Sequence, residues 1–114
     1  MSDTLVCKVE EIVTNTGVCA LIHGEQVSVF RVLENGKDRI YAVSNYDPFS
    51  NANVLSRGLI GSINGETVVA SPIYKQHFSL QTGVCVEDES IAIQVWEVFL
   101  EENCIWVRAR SIAA

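Results

Sequence analysis

The chain has 114 residues, the length of one domain, and 48% of them are hydrophobic, enough to form a core. Its formal net charge is −6, and because an acidic surface repels phosphate backbones, we expect no nucleic-acid partner. The apolar runs are short, the first residues lack the features of a secretory signal, and no basic amphipathic stripe is visible. We therefore expect one cytoplasmic domain over residues 1–114, without membrane association.

The first part of the chain has the pattern of short strands joined by tight turns. Residues 6–13 predict one helical turn or an edge strand, and residues 17–22 are a short apolar run. Residues 26–32 alternate between apolar and polar positions, which favours a strand. Asn35-Gly36 predicts a hairpin turn leading into a strand at 38–44, because Asn-Gly readily adopts the positive φ angles of such turns.

The middle of the chain contains a long polar segment and a second hairpin. Residues 45–53 are rich in Asn, Asp, Pro and Ser and predict a loop, with a short helical turn at 51–56. Asn64-Gly65 predicts a tight turn between strands at 61–63 and 66–71.

The last part of the chain continues the strand pattern. Residues 75–80 predict a short strand, and Thr82-Gly83 turns the chain into residues 84–86. Residues 91–100 and 104–109 are expected to pair with each other around a turn. Strands at this spacing predict an all-β fold, an antiparallel sandwich or barrel with little helix.

The four cysteines do not predict a metal site. They are Cys7, Cys19, Cys85 and Cys104, with no Cys-x-x-Cys pair and no histidine at a zinc-ligand spacing. We expect all four to be buried, reduced side chains that pack as small hydrophobic groups.

The ionisable residues do not predict a catalytic site either. His23 and His77 have no serine or cysteine nucleophile beside them in the sequence, so we assign neither a catalytic role. The acidic residues 87–89 are expected to form a solvated loop, the alternative being that they steer a basic partner surface. No glycine-rich nucleotide-binding motif is present.

Two loops carry the most informative pattern. The first spans residues 41–49, the second spans residues 69–80, and Leu-Ser-Arg-Gly lies between them at 55–58. This layout resembles a Rieske iron–sulfur domain, in which the first loop carries Cys-x-His and the second carries Cys-x-x-His. Two cysteines and two histidines hold a Rieske [2Fe–2S] centre. In this chain the corresponding positions hold Asp47 and Phe49 in the first loop, and Ser71 and Tyr74 in the second.

These four residues do not predict a metal centre. They offer a carboxylate, a phenyl ring, a hydroxyl and a phenol, whereas the cluster needs thiolate and imidazole ligands. We expect Asp47 to cap a turn, and Phe49 and Tyr74 to fill the space that a cluster would occupy.

A more specific resemblance covers residues 5–109. It rests on Asp-Pro-Phe at 47–49, residues 54–60, Val-Ala-Ser-Pro at 69–72 and residues 86–89. These segments are similar to those of the small subunit of cytoplasmic NAD(P)H-dependent nitrite reductase, a family with the Rieske-like fold and no cluster. The resemblance implies an accessory subunit in nitrate assimilation that carries no cofactor and no catalytic residue. It also implies a large-subunit partner that carries FAD, an iron–sulfur cluster and sirohaem and reduces nitrite to ammonia.

Aromatic residues in the two loops predict where the large subunit binds. Tyr46, Phe49 and Tyr74, with Arg57 and Lys75 nearby, have the composition of an interface centre. The alternative is that the aromatic side chains pack locally where the cluster would be.

Two other functions remain open at this point. One is a true Rieske [2Fe–2S] ferredoxin-type electron carrier, which predicts a brown, iron-containing protein. The other is a free-standing β binding module for a small molecule or peptide, unrelated to nitrite, which predicts a stable monomer with a ligand pocket.

Overall fold

A computed structural model describes residues 2–109, and strands dominate it. The strands are β1 (Thr4–Lys8), β2 (Thr16–Ile22), β3 (Glu25–Glu34), β4 (Lys37–Ser44), β5 (Tyr46–Asp47), β6 (Ala52–Asn53), β7 (Leu59–Ile63), β8 (Glu66–Ala70), β9 (His77–Ser79), β10 (Val95–Trp96), β11 (Val98–Glu101) and β12 (Cys104–Val107). Two 3₁₀ turns, Val9–Glu11 and Leu55–Arg57, supply the helical content of residues 2–109. No helix in this part of the chain is long and apolar enough to cross a membrane.

The strands form four antiparallel sheets. Their orders are β1-β12-β11, β10-β4-β3-β2, β5-β6 and β7-β8-β9. Every pair of neighbouring strands runs antiparallel. The predicted all-β antiparallel fold with little helix is therefore confirmed.

Both predicted Asn-Gly hairpins are confirmed. Asn35 and Gly36 have φ angles of 51° and 77° between β3 and β4, and Asn64 and Gly65 have 52° and 81° between β7 and β8. Both turn residues need positive φ, which matches the right-handed twist of the strands. Local turn chemistry was therefore enough to place these two hairpins in the sequence.

Three strand predictions were incomplete. The segment 6–13 contains both a strand and a 3₁₀ turn, and the predicted loop 45–53 contains the short β5–β6 pair. The segment 91–100 divides into two strands, and only β11 pairs with β12. β10 pairs with β4 instead, which places Trp96 in the core at 6% exposure. Burial of this large side chain gives a physical reason for the division.

The core consists of two clusters on opposite sides of β3. Val27 and Val29 belong to the first cluster, whereas Phe30 and Val32 belong to the second. Because alternate side chains of a strand point to opposite faces, β3 is covered on both faces. The second cluster also contains Leu55, Val69, Phe78, Leu80 and Cys85, and it supports both loops that the sequence singled out.

Gly58 allows the 3₁₀ turn to approach the strand that leads into the second loop. A Cβ atom at Gly58 would lie 2.4 Å from the carbonyl oxygen of Ala70 and 2.7 Å from a methyl group of Val69. We expect Gly58→Ala to lower the free energy of unfolding by about 1–3 kcal/mol, because the added methyl group forces the backbone apart. Urea denaturation followed by circular dichroism measures this change.

Gly61→Ala is the matched control for this prediction. A Cβ atom at Gly61 would meet nothing within 4 Å, although this glycine lies only three positions further along. We expect the Gly61 variant to be at least as stable as the wild type. Equal destabilisation by both substitutions would show that close packing at Gly58 is not the cause.

Candidate functional site

The two loops meet at Asp47 and Ser71. Both side chains are buried, with exposed fractions of 0% and 1%. Ser71 Oγ donates a hydrogen bond to Asp47 Oδ2 over 2.5 Å. Asp47 also accepts hydrogen bonds within its own loop, from the Phe49 N–H at 2.9 Å and from Ser50 Oγ at 2.9 Å. The carboxylate therefore caps its turn, as predicted, and also contacts the second loop.

Phe49 and Tyr74 have different environments. Phe49 is half-buried, and its ring centroid lies 6.1 Å from that of Phe78, with the planes tilted by 48°. Tyr74 is 61% exposed, so the prediction that it fills interior space was wrong. The reason lies in the backbone: Lys75 has a φ of 66°, and its N–H donates back to the Ser71 carbonyl at 3.2 Å. This turn leaves the intervening residues outside the core.

The four ligand positions do not fit a [2Fe–2S] cluster. Asp47 is already engaged by three donors, and Ser71 donates to it. Phe49 has no lone-pair donor, and Tyr74 has a solvent-exposed phenol in place of an imidazole. Within residues 2–109, no group of three or more His, Cys, Asp or Glu side chains could hold a metal ion. No step of electron transfer is therefore assigned to these residues.

The second loop presents an exposed surface that we call the second-loop tip, residues 72–75. Ile73 is 45% exposed and Tyr74 61%, and Pro72 and Lys75 are exposed beside them. The base of the tip is fixed because the Ser71 N–H donates to the Gln76 carbonyl at 2.8 Å. The interface predicted from the sequence includes Tyr74 and Lys75 but not Ile73, which is exposed beside them. An isoleucine placed between Pro and Tyr in a loop was the available signal.

Arg57 and Tyr46, the other exposed residues of the predicted interface, lie outside the second-loop tip. Arg57 is exposed at the end of its 3₁₀ turn, next to Gly58, which packs against the strand entering the second loop. Tyr46 is 40% exposed, donates its hydroxyl to Asn51, and lines a surface groove with Trp96. Since neighbouring residues of β5 point to opposite faces, Tyr46 faces away from the side on which Asp47 meets the second loop. An interface formed by all five residues stays a prediction.

His77 and Glu87 form a hydrogen-bonded pair near the end of the second loop. His77 Nδ1 lies 2.6 Å from Glu87 Oε2, and the His77 N–H donates to Oε1 at 2.8 Å. Desolvation pushes the pKa of Glu87 upward, but the hydrogen bonds from His77 outweigh it and hold this pKa below its usual value. The acidic residues 87–89 are exposed, as predicted for a solvated loop.

The cysteines are free, but the prediction that all four are buried was wrong. Cys85 is buried, Cys7 and Cys104 are half-buried, and Cys19 is exposed on β2, at the edge of its sheet. Burial raises the pKa of the Cys85 and Cys7 thiols. A raised pKa leaves less thiolate at neutral pH, which is the opposite of what a nucleophile needs.

Sheets packed around two cores, with two loops that meet at one end, define a Rieske-like class of domain. The family of the Rieske-like [2Fe-2S] domain matches residues 4–108. The nitrite reductase (NADH) small subunit of Salmonella typhimurium LT2 is 45% identical over 103 residues, which cover 90% of this chain and 94% of the relative. The chain therefore belongs to the Rieske-like domain family and, within it, to the group of nitrite reductase small subunits.

Two further comparisons agree with this placement. The solution structure of the Escherichia coli protein NirD has a TM-score of 0.85 and 42% identity, covering 95% of this chain and 96% of that one. The nitrite reductase [NAD(P)H] large subunit of Klebsiella oxytoca is 36% identical over 109 residues, or 96% of this chain. Those residues are only 11% of the Klebsiella protein, so a small-subunit-like segment occurs there within a large subunit.

Proposed function

We propose that this chain is the accessory small subunit of a cytoplasmic, assimilatory NAD(P)H-dependent nitrite reductase, and that it acts by binding the large subunit. The main support is the 45% identity to a nitrite reductase small subunit over nearly the full length of both chains. The segment inside the Klebsiella large subunit adds to it, because a domain found fused to a partner in one protein commonly binds that partner when separate.

The chemistry of the loops supports a role through contact. The residues at the four ligand positions are unsuited to iron–sulfur ligation, so FAD, the iron–sulfur cluster and sirohaem belong to the large subunit in this proposal. The single domain over residues 1–114 then contributes no catalytic residue of its own. It supplies a shaped surface, and catalysis from NAD(P)H to nitrite proceeds in its partner.

The second-loop tip is the surface that we assign to the large subunit. Exposed Ile73 and Tyr74 give it an apolar centre, and exposed Lys75 adds a positive charge at its edge. We assign exposed Arg57 to the same contact surface. Aromatic and aliphatic anchors surrounded by polar residues are typical of energetically important interface positions. Phe49 packs on Phe78, and Tyr46 belongs to the contact surface only if the partner also covers the groove beside Trp96.

Co-purification tests the proposed function. The tagged chain and its large subunit are produced together, and the tagged chain is isolated by affinity and gel filtration. We expect a stable complex that contains sirohaem, with the iron and acid-labile sulfide accounted for by the large subunit. A tagged chain that elutes alone, and that leaves the nitrite-dependent oxidation of NADH or NADPH by the large subunit unchanged, would contradict the proposal.

A further inference from the structure

We propose that the Asp47–Ser71 hydrogen bond is a clasp that holds the second-loop tip in the shape that the large subunit binds. The clasp would connect the two loops in place of a cluster, because both residues stand at cysteine positions of the Rieske pattern. Two thiolates on one iron would tie the loops together there. This inference rests on the proposed function, and it makes Asp47 and Ser71 positioning residues.

The clasp is a long-range connection. Its two residues are 24 positions apart, and within residues 2–109 no other hydrogen bond joins residues 45–53 to residues 69–76. The ring contact between Phe49 and Phe78 lies in the same region but is non-directional. A hydrogen bond of 2.5 Å between two buried groups therefore sets how the loops meet.

Each end of the clasp is fixed within its own loop. On the first loop, the Phe49 N–H donates to the other carboxylate oxygen of Asp47. On the second loop, the Ser71 carbonyl accepts from Lys75, and Ser71 Oγ accepts from the Ile73 N–H at 3.3 Å. The position of Ser71 therefore determines the base of the tip, although Ser71 itself is too buried to touch a partner.

Fixing the tip before binding favours association. Ordering a loop and its side chains on binding weakens affinity, and a loop held in its bound shape avoids that loss. Without the Ser71 hydroxyl, the buried carboxylate of Asp47 also lacks one of its three donors. The loss of the bond between the loops loosens the tip and leaves its exposed side chains chemically unchanged.

Two serine substitutions separate the clasp from local packing. Ser71 and Ser50 both donate to Asp47 Oδ2, but only Ser71 belongs to the other loop. We expect Ser71→Ala to weaken binding to the large subunit by about tenfold in a calorimetric titration. Ser50→Ala is the matched control, and we expect it to change the affinity by less than about twofold. Equal losses in the two variants would overturn the proposal.

A double-mutant cycle tests whether the clasp acts through the tip. The loss of affinity caused by Ser71→Ala should be smaller in the Tyr74→Ser background, because a tip without its main anchor gains little from being held in place. A merely structural effect of Ser71→Ala would be the same in both backgrounds and would contradict the proposal. If Ser71→Ala does not fold, Ser71→Cys takes its place, since a thiol is a weaker donor of similar shape.

Hydrogen exchange in the isolated chain keeps this inference distinct from the proposed function. We expect the backbone amides of residues 73–76 to exchange faster in Ser71→Ala than in Ser50→Ala, whether or not a large subunit is present. If the wild type does not bind the large subunit, the proposed function fails, and the exchange comparison still decides whether the clasp orders the tip. Equal exchange rates in the two variants would show that it does not.

Discussion

Replacing both Ile73 and Tyr74 with serine is expected to weaken binding to the large subunit by on the order of a hundredfold. These two side chains form the apolar centre of the second-loop tip, with exposed fractions of 45% and 61%. The serine substitutions would remove apolar area from the proposed contact with the partner. They should change the core of the isolated domain little, because both side chains lie at the surface. The variant should therefore keep the wild-type thermal midpoint. Titration calorimetry gives the affinity, and circular dichroism gives the midpoint.

The control for this prediction replaces two apolar residues that lie elsewhere and are even more exposed. Val13 and Leu21 are 72% and 70% exposed, and they lie before β2 and near its end. We expect Val13→Ser with Leu21→Ser to leave the affinity nearly unchanged. If this control weakens binding as strongly as the tip variant does, the contact surface lies on the β2 side of the domain and the assigned interface is wrong.

Phe78→Ala is expected to lower the free energy of unfolding by about 3–5 kcal/mol, the usual range for a buried phenylalanine. Phe78 is fully buried in the second core cluster, and its ring contacts Phe49. Removing it opens a cavity directly beneath the two loops. Because small domains have only about 5–15 kcal/mol of stability in total, the variant should be marginally folded. Urea denaturation at 25 °C measures the loss.

Phe99 provides the comparison for Phe78. It is half-buried on β11, where it stacks on Trp106 at 6.0 Å and lies under the Arg108 guanidinium at 4.5 Å. Its replacement by alanine removes ring contacts at the surface and leaves no enclosed cavity. We expect Phe99→Ala to be clearly less destabilising than Phe78→Ala. The reverse order would mean that the cluster beneath the loops does not dominate stability.

Features set by neighbouring residues were the ones that the sequence predicted well. The Asn-Gly turns at 35–36 and 64–65 need positive φ at both positions, and few dipeptides supply it so readily. Alternating residues at 26–32 marked β3, and the turn at 35–36 then marked β4 as its partner, since both signals are local. The loops at 41–49 and 69–80 were found by their motifs, and their meeting at Asp47 and Ser71 agrees with that reading.

Features set by contacts between distant residues were not predicted from the sequence. The exposure of Tyr74 depends on the left-handed backbone conformation of Lys75. Lysine rarely adopts this conformation, so the sequence gives no sign of it. The pairing of β10 with β4 depends on the burial of Trp96, some fifty positions from its partner strand. The sequence also named Asp47 and Ser71 as ligand positions without indicating that they bond to each other.

The clasp has a consequence for how this protein matures. A metal cluster must be assembled and delivered by other proteins, whereas a hydrogen bond forms as soon as its donor and acceptor meet. A domain whose loops close this way reaches its working shape by folding alone, and neither iron scarcity nor oxygen can take that shape apart. The domain therefore needs no cofactor delivery to present its second-loop tip to a partner.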